Sequence, residues 1–495
     1  MKRRQFLRGA LASTAAFSLV PRHVLGGAGQ ISPNEKMTVA LVGCGTQGLR
    51  EMAHELKQPE LQFVAACDPN KDSHDYVDWS ADGIRSMVAA AIGKPSWRKD
   101  RPGIPGGRDV AKEMIEGAYA QQRGQSQFRV VKTLTDFREL LDSAPDVDLV
   151  KIMTPDHLHA VIAVKAMKKG KKVVTHKPLA NRVFEGRWVI ETARQTGAAT
   201  HFLPANAGDA VRRIAHWVRQ GVIGRLKEIH NWSNRPVWPQ YSTIPTDRPP
   251  IPAGFDWDLW LGPSLPRPYH PHYTHAVFRG WYEFGGGPIA DMGHYSLWRV
   301  FQELNLEAPI LVESTPSHVC EVRNGVSVVI QNDFSFPVAS TVRFKFAAQG
   351  DRPELNLFWY DGGMRPPTPP ELEREGGELP PEGMMWVGDE RIIIAGFLGQ
   401  NPRVLPTPKQ DIDALQPPPR EVPNWTHALR EGKKTDGDFA LAGPITEAFN
   451  LAAVSLRLGG KRLLWDARRA IVTNRPEANR YLTREYRKGW EPQVI

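Results

Sequence analysis

The chain has 495 residues and a formal net charge of +9; it is 41% hydrophobic and 24% charged, with three cysteines. This length calls for two or more domains, and the composition is that of an ordinary globular protein, which excludes disordered, collagen-like and disulfide-framed classes. Five positive charges (Lys2, Arg3, Arg4, Arg8 and Arg22) fall in the first thirty residues, where there are no acids; the remainder carries +4 and no dense Lys/Arg stripe, so no nucleic-acid partner is expected.

Lys2-Arg3-Arg4-Gln5-Phe6-Leu7 opens the chain, an apolar run from Gly9 to Val20 follows, and small residues come at Gly26-Gly27-Ala28-Gly29. These are the three parts of a signal peptide, read here over residues 1–30. Paired arginines before Phe-Leu point to the twin-arginine (Tat) export machinery, which carries folded and often cofactor-loaded proteins. The expected location is therefore the periplasm or another exported compartment. No later stretch runs eighteen apolar residues without a charge, so the mature form is expected to have no integral membrane segment. Cys44, Cys67 and Cys320 form no disulfide pattern, as suits a protein that folds in a reducing compartment before export.

From 36 to 206 the pattern alternates strand and helix. Strands are predicted at Met37–Val42, Leu61–Cys67, Arg129–Thr133, Val147–Met153, Lys172–Thr175 and Ala199–Leu203. Helices are predicted at Leu49–Lys57, Asp136–Leu141, Leu158–Lys169 and Phe184–Thr196. This alternation implies an α/β Rossmann domain with a parallel sheet, interrupted by an insertion at about 73–127. From 207 to 495 the texture changes. A helix near Asp209–Gln220 precedes strand-like runs at Leu226–Trp232, Ser317–Val322, Val326–Phe334 and Ser340–Phe346, and another helix is predicted at Ala440–Leu458. This second part is expected to be an α+β domain with an open, mostly antiparallel sheet, serving substrate binding and oligomerisation.

The turn after the first strand reads Gly43-Cys44-Gly45-Thr46-Gln47-Gly48, with Asp68 twenty residues further on. Strand before, helix after and acid beyond are the context that makes this a dinucleotide fingerprint. Gly43 allows the tight turn, Gly45 lets the backbone approach a pyrophosphate, and Gly48 lets helix and strand pack. Thr46 and Gln47 open the helix whose free N–H groups meet the phosphates. Asp68 is expected to bond the ribose 2′ hydroxyl, which favours NAD; Lys71 nearby keeps NADP open.

Three further segments carry a resemblance. Thr154-Pro155-Asp156-His157-Leu158-His159 follows a strand, His176-Lys177-Pro178 ends another, and Gly285-Gly286-Gly287-Pro288-Ile289-Ala290-Asp291-Met292-Gly293-His294 leads into a helix. With the glycine turn, these resemble the Gfo/Idh/MocA oxidoreductase family, in its exported, carbohydrate-related branch. The resemblance implies that Thr154, Pro155, His157, His159 and Lys177 face the cofactor, and that Lys177, Asp291 and a following base meet the substrate. Two departures stand out. His176 replaces the glutamate of the family's Glu-Lys-Pro motif, and the residue four beyond Asp291 is Tyr295, with His294 one earlier. On a helix both positions lie near the face of Asp291, so His294 and Tyr295 stay open as the base. His294 is preferred on its ordinary pKa; a core histidine is the competing role. Lys177 is expected to bind and polarise a hydroxyl, and Asp291 to orient the base or hold a sugar hydroxyl, unless it is only a helix-start acid.

His270, His272 and His275 read as a polar substrate loop, and no metal site is expected. Trp232, Trp238, Tyr241, Tyr273, Trp281 and Tyr282 are candidates for stacking on sugar rings, several of them being core. The sum is an exported NAD-dependent oxidoreductase acting on a ring hydroxyl, at C3, of a sugar or glycoside. Because export leaves the soluble NAD pool behind, the cofactor is expected to be tightly bound and recycled in place. A glycoside hydrolase or lyase using transient oxidation and elimination is the first alternative, and a non-catalytic carbohydrate-binding relative the second. A homo-oligomer is expected from the resemblance.

Overall fold

The computed structural model describes residues 31, 35–129, 131–206, 210–350, 352–409, 411–412, 414–421 and 424–492. The leader lies outside the described residues. Six strands, β1 (Met37–Val42), β2 (Leu61–Cys67), β3 (Lys132–Leu134), β4 (Leu149–Ile152), β5 (Lys172–Thr175) and β6 (Thr200–Phe202), form one sheet in the order β3-β2-β1-β4-β5-β6. Every pairing is parallel. β1 and β4 are buried because both faces of this sheet are covered, and the one charge in β4, Lys151, is paired with Glu55. The strand order reverses between β1 and β4, so the crevice beyond their carboxyl ends is the place for a ligand. The glycine turn, Thr154-Pro155 and His176-Lys177 all lie at that edge.

The predicted helices of this domain form within a few residues of their expected bounds; the first is Thr46–Glu55. The interrupting segment has two different parts. The helix Arg108–Gln122 buries Val110, Ala111, Met114, Ile115 and Ala118, and its Tyr119 hydroxyl accepts the Phe63 N–H of β2 at 2.8 Å. It therefore serves as the crossover between β2 and β3. The stretch before it folds back over the glycine turn, where Gly107 N–H donates to Cys44 O at 2.9 Å.

The second domain contains β7 (Leu226–Trp232), β8 (Leu311–Pro316), β9 (Cys320–Arg323), β10 (Val326–Val329), β11 (Ser340–Phe346), β12 (Leu355–Tyr360), β13 (Gly383–Gly388), β14 (Ile392–Ala395), β15 (Arg403–Leu405), β16 (Leu463–Asp466) and β17 (Ile471–Val472). Nine of these make a sheet in the order β15-β14-β13-β7-β12-β11-β8-β16-β17, antiparallel except between β7 and β12; β9 and β10 form a separate hairpin. Along β11 and β12 buried residues alternate with half-exposed ones such as Arg343, Lys345, Phe358 and Tyr360. The buried face packs on the helices His294–Glu303 and Gly443–Arg457, and one apolar core runs through both domains. Among the described residues one stretch, Phe439–Arg457, is long and apolar enough to cross a membrane; two-thirds of it is buried inside the protein, as a core helix is.

A buried ionic cluster fixes the C-terminal segment. Arg484 donates from Nε to Glu185 Oε1 at 2.7 Å, and the two side chains are 2% and 1% exposed. The Tyr486 hydroxyl donates to the same oxygen at 2.9 Å, while Glu283 receives Arg484 and Arg182 at 3.4 Å each. Glu283 immediately precedes a contact region of the glycine-led turn, so this clamp holds the site from outside. Removing one partner strands a buried charge. Glu185→Ala is expected to lower the unfolding free energy by about 3–5 kcal/mol, read from urea denaturation.

Candidate active site

The glycine turn is shaped by its surroundings. Gly43 has φ +96°, and a Cβ there would lie 2.5 Å from the Met153 carbonyl carbon. At Gly45 the nearest neighbour of an added methyl would be the Tyr76 ring edge at 3.2 Å, so that face is open to a ligand once the ring gives way. Gly48 packs against Gly43 O and does not line the cleft. Thr46 and Gln47 start the helix and do line it, as do Thr154, Pro155, His176 and Lys177; the cavity within the cleft is about 110 Å³. Asp68 is buried at the end of β2 and lines the cleft too. Its Oδ2 accepts the Cys44 N–H at 2.6 Å and its Oδ1 the Asn70 N–H at 2.7 Å. The carboxylate thus shapes the turn first, and burial pushes its pKa up. Lys71 is exposed and does not line the cleft. These residues fit a dinucleotide: a side-chain-free turn at a helix start and an acid beside it; Arg108 Nη1 donates to Asp68 O at 2.9 Å, so a guanidinium stands next to that acid.

Lys177 follows β5 and is 5% exposed. Its Nζ pairs with Asp291 Oδ1, which also accepts Arg279 Nε at 3.0 Å. Burial lowers the Lys177 pKa, and Asp291 opposes that fall. For Asp291 burial acts upward, but Lys177 and Arg279 outweigh it and hold the carboxyl below its ordinary range. Asp291 sits in a π turn, Ile289–Gly293, continued by the helix His294–Glu303. A wider turn rotates the next residues, so the fourth one on, Tyr295, returns to the side of Asp291. The Tyr295 hydroxyl lies 2.6 Å from His176 Nε2, and Lys177 Nζ lies 5.5 Å from the Tyr295 ring centroid. Burial raises the Tyr295 pKa, and burial together with Lys177 lowers that of His176, so both are neutral at pH 7. The two departures from the family pattern therefore meet as one hydrogen-bonded pair.

Three expectations are corrected by this geometry. His294 is a core residue: its Nδ1 lies 2.8 Å from Ala290 O, its ring packs edge-on against Phe202 and Phe449, and burial pushes its pKa down to about 3. It is not placed to act as a base in the cleft. His157 and His159 point away from the cofactor side. His157 Nε2 lies 2.9 Å from Trp260 O, and His159 spans Pro178 O at 2.6 Å and Thr154 O at 2.9 Å, stapling two strand ends together. Trp232, Trp238, Tyr273, Trp281 and Tyr282 are all buried, and Tyr241 stacks on Trp281 and His272, so none of the six offers a free face at the cleft. The polar loop divides: His270 and His272 touch ring to ring at 4.2 Å, while His275 lines the cleft. His270 faces Asp247, His272 faces Tyr241, and His275 faces Asp75 at 3.3 Å while lying on Tyr76. Among the described residues no group of three or more metal-ligating side chains is assembled.

Other cleft residues had no signal in the sequence. Tyr76 comes from an irregular loop, and Arg279 from the short 3-10 turn His275–Gly280. Asp156, inside a motif singled out above, accepts the Gly286 N–H at 2.9 Å and so ties the β4 loop to the glycine-led turn. A valine at Gly45 would fill the approach to the turn. Gly45→Val is expected to weaken NADH binding about 10-fold or more in a fluorescence titration, equivalent to ~1.4 kcal/mol, with the melting temperature little changed.

Two family models match the chain: "Oxidoreductase family, NAD-binding Rossmann fold" over residues 105–202, and "Oxidoreductase family, C-terminal alpha/beta domain" over residues 208–317. A levoglucosan dehydrogenase of Pseudarthrobacter phenanthrenivorans is 29% identical over 161 residues, 31% of this chain and 40% of the relative. A glycosyl hydrolase family 109 protein of a Shewanella species is 26% identical over 219 residues, 43% of this chain and 39% of the relative. The chain thus spans about two-fifths of the length of these curated relatives. Among solved structures, the WlbA dehydrogenase of Chromobacterium violaceum, in complex with NADH and UDP-GlcNAcA, shares the fold with a TM-score of 0.51 and 16% identity, covering 88% of this chain and 98% of its own. Both models are those of the Gfo/Idh/MocA oxidoreductases, and they identify in this chain an NAD-binding Rossmann domain and a second α/β domain of that family's kind.

Proposed function

We propose that this protein is an exported oxidoreductase that uses NAD to oxidise a ring hydroxyl, at C3, of a sugar or glycoside. The observation that carries this is the buried Lys177–Asp291 pair, set at the carboxyl edge of the parallel sheet beside the dinucleotide turn. NAD, when bound, accepts the hydride leaving the carbon. Lys177 bonds the substrate hydroxyl and takes its proton; burial makes the free amine accessible at a lower pH than in water. Asp291 and Arg279 fix the amine in place. Tyr295 and His176, both neutral, present a hydrogen-bonding pair to the ring without adding charge.

Export through the twin-arginine route with the cofactor aboard fits a fold that closes over its own glycine turn, Gly107 bonding Cys44 there. We propose that turnover is redox-neutral, one sugar being oxidised and a second carbonyl reduced on the same NAD. We also propose pairing of two copies through the half-exposed face of the nine-stranded sheet.

Asp291 supports protonated Lys177, so its removal lowers the lysine pKa further. Activity requires the free amine and rises with pH through that pKa. Asp291→Asn is therefore expected to move the rising limb of the kcat/KM profile to lower pH and to reduce its plateau; an unmoved limb argues against Lys177 as proton acceptor. Purified mature protein is expected to keep a nicotinamide absorbance through dialysis.

The family 109 relative favours a second reading, in which oxidation acidifies the neighbouring proton, the aglycone is eliminated, water adds and the ketone is reduced. Product analysis on a panel of methyl glycosides separates the two: an intact keto-glycoside supports oxidation alone, and a free reducing sugar supports the second reading.

A further inference from the structure

Arg235 has no part in the chemistry above, yet it stands beside a ring that lines the same cleft. Its guanidinium lies 5.5 Å from the ring centroid of Trp79, which lines the cleft mouth and is 53% exposed. Its charge acts on Asp291. Its buried Nε has no acceptor among the described residues, and Nη1 only reaches Asn234 Oδ1 at 3.4 Å. Arg279 repeats the arrangement. It lies over Phe278 at 4.7 Å and Trp238 at 5.9 Å, with Nε on Asp291 and Nη1 3.4 Å from Ala276 O.

Lys177 and Arg279 thus share the carboxylate of Asp291, and Arg235 adds a third, more distant positive charge. The second acid in reach, Asp156, is held toward its neutral form by burial and is already engaged by Gly286. An aromatic backing fixes a guanidinium plane and leaves its edges free to fork onto an oxyanion. A donor left unpaired and desolvated is unfavourable until a ligand accepts from it. The cofactor phosphates have their own place at the glycine turn, whereas Arg279 reaches the carboxylate that holds the lysine and Arg235 backs the cleft-lining Trp79.

We infer that Arg235, with Arg279, forms an oxyanion subsite, so that the sugar oxidised here carries an anionic group near the reacting hydroxyl, a uronate or aldonate carboxylate or a phosphate ester. This rests on the sugar-oxidoreductase reading and narrows its substrate class.

The test is calorimetric titration of the NAD-loaded protein with matched probes: D-glucuronate, D-gluconate and D-glucose 6-phosphate against D-glucose, and D-galacturonate against D-galactose, each at low and high sodium chloride. An acidic probe is expected to bind at least about 10-fold more tightly than its neutral partner, and less so at high salt. Which probe wins tells carboxylate from phosphate. Arg235→Gln is expected to remove about 10- to 100-fold of that preference, and Arg235→Lys to restore part of it, with the bound nicotinamide absorbance unchanged. Neutral probes binding as tightly as acidic ones, no probe of either kind binding, or a preference that survives Arg235→Gln would each overturn the subsite and leave the NAD chemistry standing. A protein that holds no NAD would remove the underlying reading, and the subsite with it.

Discussion

A charged lysine cannot be sealed inside a protein without an anion beside it. Lys177 comes from the end of β5 in the dinucleotide domain, and Asp291 comes from the π turn of the second domain. Their pairing therefore requires the two domains to meet at one place. The supporting contacts follow from that demand. Arg279 adds its guanidinium to the same oxygen, Asp156 anchors the turn that presents Asp291, and His159 ties the loop after β4 to the backbone beside Lys177. Each raises the precision with which one amine faces the cleft.

The dinucleotide half was largely legible in the sequence, because strands buried on both faces appear as unbroken apolar runs and a glycine turn between strand and helix has few other uses. The helix Arg108–Gln122 was hidden by the Gly/Pro-rich segment ahead of it, although its buried residues keep helical spacing. β8 and every strand beyond β11 escaped notice. They are short, and β12 is paired in parallel with β7, a partner more than a hundred residues away, so no local hairpin marks it.

The site was legible as a set of motifs and less so as a geometry. Asp291, Lys177, His176 and Tyr295 are brought together, but helical spacing alone left His294 and Tyr295 equivalent. The π turn breaks that equivalence by altering the phase of the helix, and a local widening of this kind leaves no periodic trace. The aromatics follow a similar logic. A Pro-rich loop full of rings suggested sugar platforms, yet those rings pack on one another as a small core. The exposed ring, Trp79, sits instead in a segment whose composition suggested only an interruption.

The clamp between Glu185 and Arg484 joins positions 299 residues apart in sequence. Contacts of such separation form late, because a long stretch of chain must be ordered before they contribute. Arg484 reaches Asn181 and Glu185 on one side and Glu283 on the other. A chain shortened before Arg484 would leave the buried Glu185 and the half-buried Glu283 lacking that counter-charge behind the glycine-led turn, so a residue far along the sequence governs the integrity of the catalytic wall.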